Sequence, residues 1–395
     1  MTRQRIVITG IGLVTSLGDG AEANWAAMSD PAGAPVLDTT TCAPFALHPV
    51  PPLPLDAQIP RKGDQRQMEP WQRLGTYAAG LALDDAGARD LVADMHLIVA
   101  AGGGERDLAL DEAIVGELAG MPAEAAGPIL NERLANGLRP TLFLAQLSNL
   151  MAGNISIVHG VTGSSRTFMG EEQAGADALR IAAARLGEGS GRIALVGGAF
   201  IATRWDLLIF YGPGGNLMQG DWAPISARGE HGGIALGGMA GFLVLETEAH
   251  AEARGARVLA HLDGVATDTA RRRAPGESEA ALAALWQRLA PMRAEGPLAV
   301  ISGTTGAGAA HAEERGFLDT IGADAIRTPA SRIGHGVEAT FFVHVALAAL
   351  ALQRGALPAP LDPADTGDVV PAAVLVTGMG QWRGESLALL SGAAS

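Results

Sequence analysis

Short apolar runs that close on glycine punctuate the chain, and this pattern constrains its fold more than any other feature. Arg5-Ile-Val-Ile-Thr-Gly10, His96-Leu-Ile-Val-Ala-Ala-Gly102 and Ile193-Ala-Leu-Val-Gly-Gly198 are examples, and Gly241-Phe-Leu-Val-Leu-Glu246 is a further run of the same kind. These runs do not alternate apolar with polar residues, so they read as strands buried on both faces, the signature of an α/β protein. Ala-rich helical stretches such as 72–86 and 173–186 lie between them. The theme returns later: Leu298-Ala-Val-Ile-Ser-Gly303 is like the run ending at Gly102, and Val374-Leu-Val-Thr-Gly378 is like the run ending at Gly198. Two similar halves, 1–250 and 251–395, are therefore expected to arise by internal duplication. Such halves can stack their sheets around shared buried helices, which suits the small-residue apolar stretch 339–352.

A chain of 395 residues can bury a large core. With 48% hydrophobic and 18% charged residues, it reads as folded throughout. The 53 glycines far outnumber the 9 Phe, 6 Trp and 2 Tyr, so close packing rests on small residues. Net charge is −14 and no basic stripe stands out, which argues against nucleic acid as a partner. A few local arginines still suffice to meet an acidic carrier protein; Lys62 is the single lysine. Cys42 is the sole cysteine, so no internal disulfide forms, a reducing compartment fits, and the residue reads as an incidental loop thiol.

The proline-rich segment 31–68 reads as an extended surface excursion, and 106–140 as an insertion without strand signals. The N-terminus has no signal-peptide pattern, and 339–352 reads as too short to span a bilayer. The expectation is a soluble cytoplasmic protein. No His, Cys, Asp or Glu cluster has metal-ligand spacing, and Gly102–Gly104 reads as a strand-end turn, so neither metal nor cofactor is expected.

The stretch Arg5-Ile-Val-Ile-Thr-Gly-Ile-Gly-Leu-Val-Thr-Ser-Leu-Gly18 resembles the opening of β-ketoacyl-carrier-protein synthases. Asn149–Ile157 and Gly160-Val-Thr-Gly163 resemble the approach to their nucleophile. Ala240–Glu246 with His250–Ala256, then Gly334-His335 and Gly378-Met-Gly380, follow in the family's order. The resemblance implies the thiolase-like fold: two duplicated halves in five αβαβα layers, assembled as a dimer. It implies decarboxylative Claisen condensation, which uses a thiolate to carry the acyl chain and two imidazoles to steady the enolate. A lysine supports one of those histidines.

Carried over residue by residue, the resemblance puts Glu172 at the nucleophile, at the head of a buried helix, with Gln173 as the alternative register. It puts Ser302 at the first histidine, Ala330 at the lysine and His335 at the second histidine. With thiolate, one imidazole and the ammonium missing together, independent condensation is not expected. The segment Glu171-Glu-Gln-Ala-Gly175 looks like the Glu-Gln-Ala-Gly segment of chain length factors, the inactive halves of ketosynthase heterodimers in type II polyketide and polyene assembly. There the nucleophile position is typically glutamine, so Glu172 departs even from that pattern.

This resemblance implies a catalytically complete ketosynthase as partner and, through the complex, an acyl carrier protein. Thr141, Leu142 and Phe143 fall where family members line the acyl tunnel, with Phe143 the candidate stop; Met379 replaces the phenylalanine of the family's gate. The enzyme alternative is malonyl-carrier-protein decarboxylation, or another acyl transfer, by Glu172 and His335.

Overall fold

The structure is a computed structural model that describes residues 4–104, 106–139, 142–229 and 232–393. Its strands are β1 (Ile6–Thr15), β2 (Gly18–Asp19), β3 (His96–Ala100), β4 (Ser165–Phe168), β5 (Ile193–Phe200), β6 (Met239–Thr247), β7 (Ala260–Asp268), β8 (Leu298–Ile301), β9 (Ala325–Arg327), β10 (Ala373–Met379) and β11 (Glu385–Ser391). The short β2 pairs with β1, and the rest run in the order β4-β3-β5-β6-β1-β7-β11-β10-β8-β9. The first five and the last five of these strands follow one plan. From each edge inward, two parallel neighbours lead to a third parallel strand and then to two antiparallel ones, and β1 and β7 join the two sets at the centre.

Every residue of β1 and β6 is buried, which is why neither alternates in sequence. Glycine lets the layers approach. A Cβ at Gly12 would overlap the Ala78 carbonyl of the helix Pro70–Asp85, so bare backbone is needed there for the helix to lie on β1. That helix covers one outer face, and Glu277–Leu289 with Gly308–Thr320 covers the other. Between the two strand sets lie Gln173–Gly187 and Thr340–Arg354, touching strands of both. The result is a thiolase-like α/β architecture of five layers.

Two sequence expectations need amending. The stretch Val337–Arg354 is long and apolar enough to cross a membrane, but 89% of it is buried as the central helix of the fold. Its apolarity on all sides comes from burial between two sheets. Segment 31–68 is not wholly superficial: Cys42, Leu47, His48 and Ile59 are buried, and burial raises the Cys42 thiol above its ordinary pKa, with the Asp38 charge adding to the effect. Segment 106–139, read as an insertion without strand signals, is helical over Leu108–Leu118 and Ala123–Gly137 and lies mostly exposed, as that reading allows.

Candidate active site

The loop after β4 turns at Gly170, whose φ of +138° suits only glycine, and delivers Glu172 as the residue capping helix 173–187. The side chain is buried at the positive end of that 15-residue helix. From the opposite half, the turn ending Ala330–Ile333 brings in His335, also buried. His335 Nε2 lies 3.3 Å from Glu172 Oε1, and its Nδ1 lies 3.3 Å from Thr340 Oγ1. Tyr211 Oη donates to the same Glu172 oxygen at 3.3 Å.

Burial works to raise the Glu172 pKa. The hydrogen bond and charge of His335 outweigh it, with the backbone amides of Glu172 and Gln381 contributing, and hold the carboxyl below its ordinary value. Glu172 Oε2 makes no hydrogen bond of regular geometry. The Tyr211 hydroxyl is pushed far up by burial and by the adjacent carboxylate, so it remains a donor.

A roof closes over this pair. Trp382 stacks on Tyr211 at 4.9 Å and meets Phe210 edge-on at 4.6 Å. Arg272 holds the loop that carries Trp382, donating to the carbonyls of Gly380 at 2.7 Å and Gln381 at 3.0 Å while pairing with the buried Glu385 at 2.8 Å. The cavity left below, lined by Glu172, His335, Phe341, Thr377 and Met379 among others, measures about 10 Å³. That is room for no more than one water.

The positions singled out in the sequence divide into groups. Glu172, His335 and Met379 share this cavity, and Gln173 lines its edge, its Oε1 accepting from Thr269 at 3.0 Å. Ser302 does not face it. The strand end turns Ser302 to the other side, where its hydroxyl donates to buried Glu314 at 3.1 Å, and Gly303 lines the Glu172 cavity instead. Ala330 is buried and lines neither cavity. Leu142, buried, and Phe143, 68% exposed, border a hollow of about 420 Å³ against the two helices of segment 106–139, apart from Met379. Thr141 lies outside the described residues.

Sequence reasoning missed Tyr211, Trp382 and Arg272. Each acts through a contact far along the chain, and nothing in its local sequence marks it. Among the described residues, no group of three or more His, Cys, Asp or Glu is placed to hold a metal ion. Chemically, the site offers a charged carboxylate locked to an imidazole under a roof. It holds no thiol to carry an acyl group and no space beside the carboxylate for a substrate.

Residues 3–251 match the family model for the Beta-ketoacyl synthase, N-terminal domain. The chain is 26% identical over 276 residues to 3-oxoacyl-[acyl-carrier-protein] synthase 2 of Vibrio harveyi, covering 67% of this chain and 63% of that relative. It is 28% identical over 271 residues to Nodulation protein E of Rhizobium leguminosarum bv. trifolii, covering 66% and 63%. The chain thus spans a little under two thirds of the length of these curated relatives. Among solved structures, the ishigamide ketosynthase/chain length factor superposes with a TM-score of 0.78 at 22% identity, over 99% of this chain and 100% of that one. A type II PKS acyl-carrier protein in complex with its ketosynthase, AntDE:AntF, gives 0.73 at 17%, again over 99% and 100%. These two likenesses speak for the fold alone. With a family match across more than half its residues, the chain belongs to the β-ketoacyl synthase family.

Proposed function

We propose that this chain is a non-condensing ketosynthase-like subunit, of the chain-length-factor kind, that pairs with an active ketosynthase and bounds its acyl tunnel. One observation carries the reading. Glu172 stands at the head of the buried helix, paired to His335 in a cavity of about 10 Å³. A carboxylate there is neither the nucleophile nor the leaving group that a thioester relay needs.

The surface supports a partner. Strand β4 is an edge of the sheet, with exposed Ser165 and Arg166 and, among the described residues, no strand on its outer side. Ile157, on the helix before β4, and Met169, in the loop after it, are exposed, as are Phe143 and Leu144. An open strand edge with apolar neighbours is a place for another chain to pair. The fold neighbours that are a ketosynthase/chain length factor and a ketosynthase with an acyl-carrier protein favour such a partner and such a carrier. The division at 1–250 and 251–395, and a cytoplasmic setting, belong to the same reading; the repeated strand plan supports the division.

Co-expression with a catalytically complete ketosynthase from the same source tests the proposal. The expected result is a stable heterodimer in which condensation depends on the partner's cysteine. A well-behaved monomer from which no ketosynthase co-purifies overturns it. Carbon dioxide release from malonyl-carrier protein by the chain alone, abolished by Glu172→Ala, replaces it with the decarboxylase reading.

A further inference from the structure

Most of the open space in this protein lies away from Glu172. A groove of about 810 Å³ opens between helix 108–118 and helix Trp205–Tyr211, with walls that include Leu108, Val115, Trp205 and Ile209. Arg204, the residue before the second helix, lies on its inner side and is itself buried. Glu338 is buried in the turn between His335 and the central helix, one residue after Val337 and two before Thr340, both of which line the Glu172 cavity. Its carboxylate reaches away from that cavity and accepts from the Gly102 amide at 2.7 Å. Arg204 and Glu338 flank the same point: a Cβ on Gly102 would lie 2.9 Å from Glu338 Oε1 and 3.3 Å from Arg204 Nη1. Glycines at 175 and 198 clear the space that the Glu338 backbone occupies, since a Cβ at Gly175 would meet the Glu338 carbonyl oxygen at 2.5 Å.

We infer that Glu338 and Arg204 form a polar partition that separates the Glu172 cavity from the groove and denies a hydrocarbon chain passage between them. A hydrocarbon entering from either side would have to displace a buried carboxylate and a buried guanidinium from their partners, leaving both desolvated and unmatched. The groove is therefore a surface feature with a charged inner end, and the Glu172 cavity is a dead end. This deepens the non-condensing reading and rests on it only for the identity of the excluded chain as acyl.

Labelling at position 172 tests the partition in the purified assembly. In a Glu172→Cys variant, alkyl methanethiosulfonates of increasing chain length are followed by intact mass spectrometry of this chain, with the parent protein reporting any reaction at buried Cys42. Methyl reagent is expected to react, and octyl reagent to react at least about tenfold more slowly. Adding Glu338→Gly with Arg204→Met is expected to recover that factor, and adding Glu338→Gln, which keeps the shape, to recover little of it. Glu338→Ala serves in place of Glu338→Gly should the latter not fold. Octyl labelling as fast as methyl with Glu338 and Arg204 intact overturns the partition, as does an unchanged octyl rate once both are replaced. Loss of the heterodimer leaves this pattern standing, so the two readings fail separately.

Discussion

The Glu172 cavity and the groove beside helix 205–211 differ in volume and in lining. The cavity holds about 10 Å³ and places an ionised carboxylate against an imidazole. The groove holds about 810 Å³, and its walls mix Leu108, Val115, Trp205 and Ile209 with charged side chains such as Arg106, Asp111 and Glu112. A condensing site needs the reverse arrangement, with space at the reacting atom and order around it. The contrast supports the proposal made above: the family framework is kept, and the space at Glu172 is too small for a substrate.

The largest effect expected from breaking that contrast comes from His335→Ala. Removing the imidazole leaves the Glu172 carboxylate buried without its main partner, a loss of about 3–5 kcal/mol of stability in denaturant titration. Combining it with Glu172→Leu should cost much less than the sum of the two single changes, as a double-mutant cycle would report. Equal additive losses would show that the pair is not coupled.

The central helix offers a sharper test of what burial alone does. His344 is fully buried with both ring nitrogens unpartnered, and burial, aided by the nearby His335 charge, lowers its pKa to about 3. His344→Leu should raise stability by about 1–2 kcal/mol at neutral pH, because it removes unsatisfied polar atoms. The pH dependence follows from the same shift. The unfolded chain takes up a proton near the ordinary histidine value of 6.5 and the folded chain does not until about 3. Wild-type stability should therefore fall as pH drops through that window, and thermal melts should show the variant losing less. Glu172 adds a loss of the same sign at lower pH, since its depressed pKa stabilises the fold above the ordinary carboxylate range and the benefit disappears on acidification through the folded value.

Smallest of all should be the response of the isolated chain to Val115→Ser. Val115 is 71% exposed on the groove wall, so folding stability should move by no more than about 0.5 kcal/mol. A loss of several kcal/mol would mean that the groove is part of this chain's own core rather than free surface.

Much of this was legible in the linear chain because it depends on local pattern. Uninterrupted apolar runs closing on glycine reported strands buried on both faces, and β1 and β6 are buried along their whole length. The family resemblance put Glu172 at the head of a helix, where it caps 173–187. The apolar stretch near residue 345 announced a shared buried helix, although its full extent, Val337–Arg354, exceeded the stretch first marked. Other features had no local signal. Ser302, expected in the Glu172 pocket, faces Glu314 instead, because a strand end can present a side chain to either of two cavities.

What the sequence determined by itself was therefore the buried-strand α/β pattern and the scarcity of sulfur and ammonium, with Cys42 the one cysteine and Lys62 the one lysine, since periodicity and residue identity are properties of the chain. Only the tertiary structure decided that Tyr211, Trp382 and Arg272 roof the carboxylate, and that Arg204 and Glu338 both come up beside Gly102. Those contacts join residues separated by tens to hundreds of positions, and only the folded packing sets the distances on which their electrostatics depend.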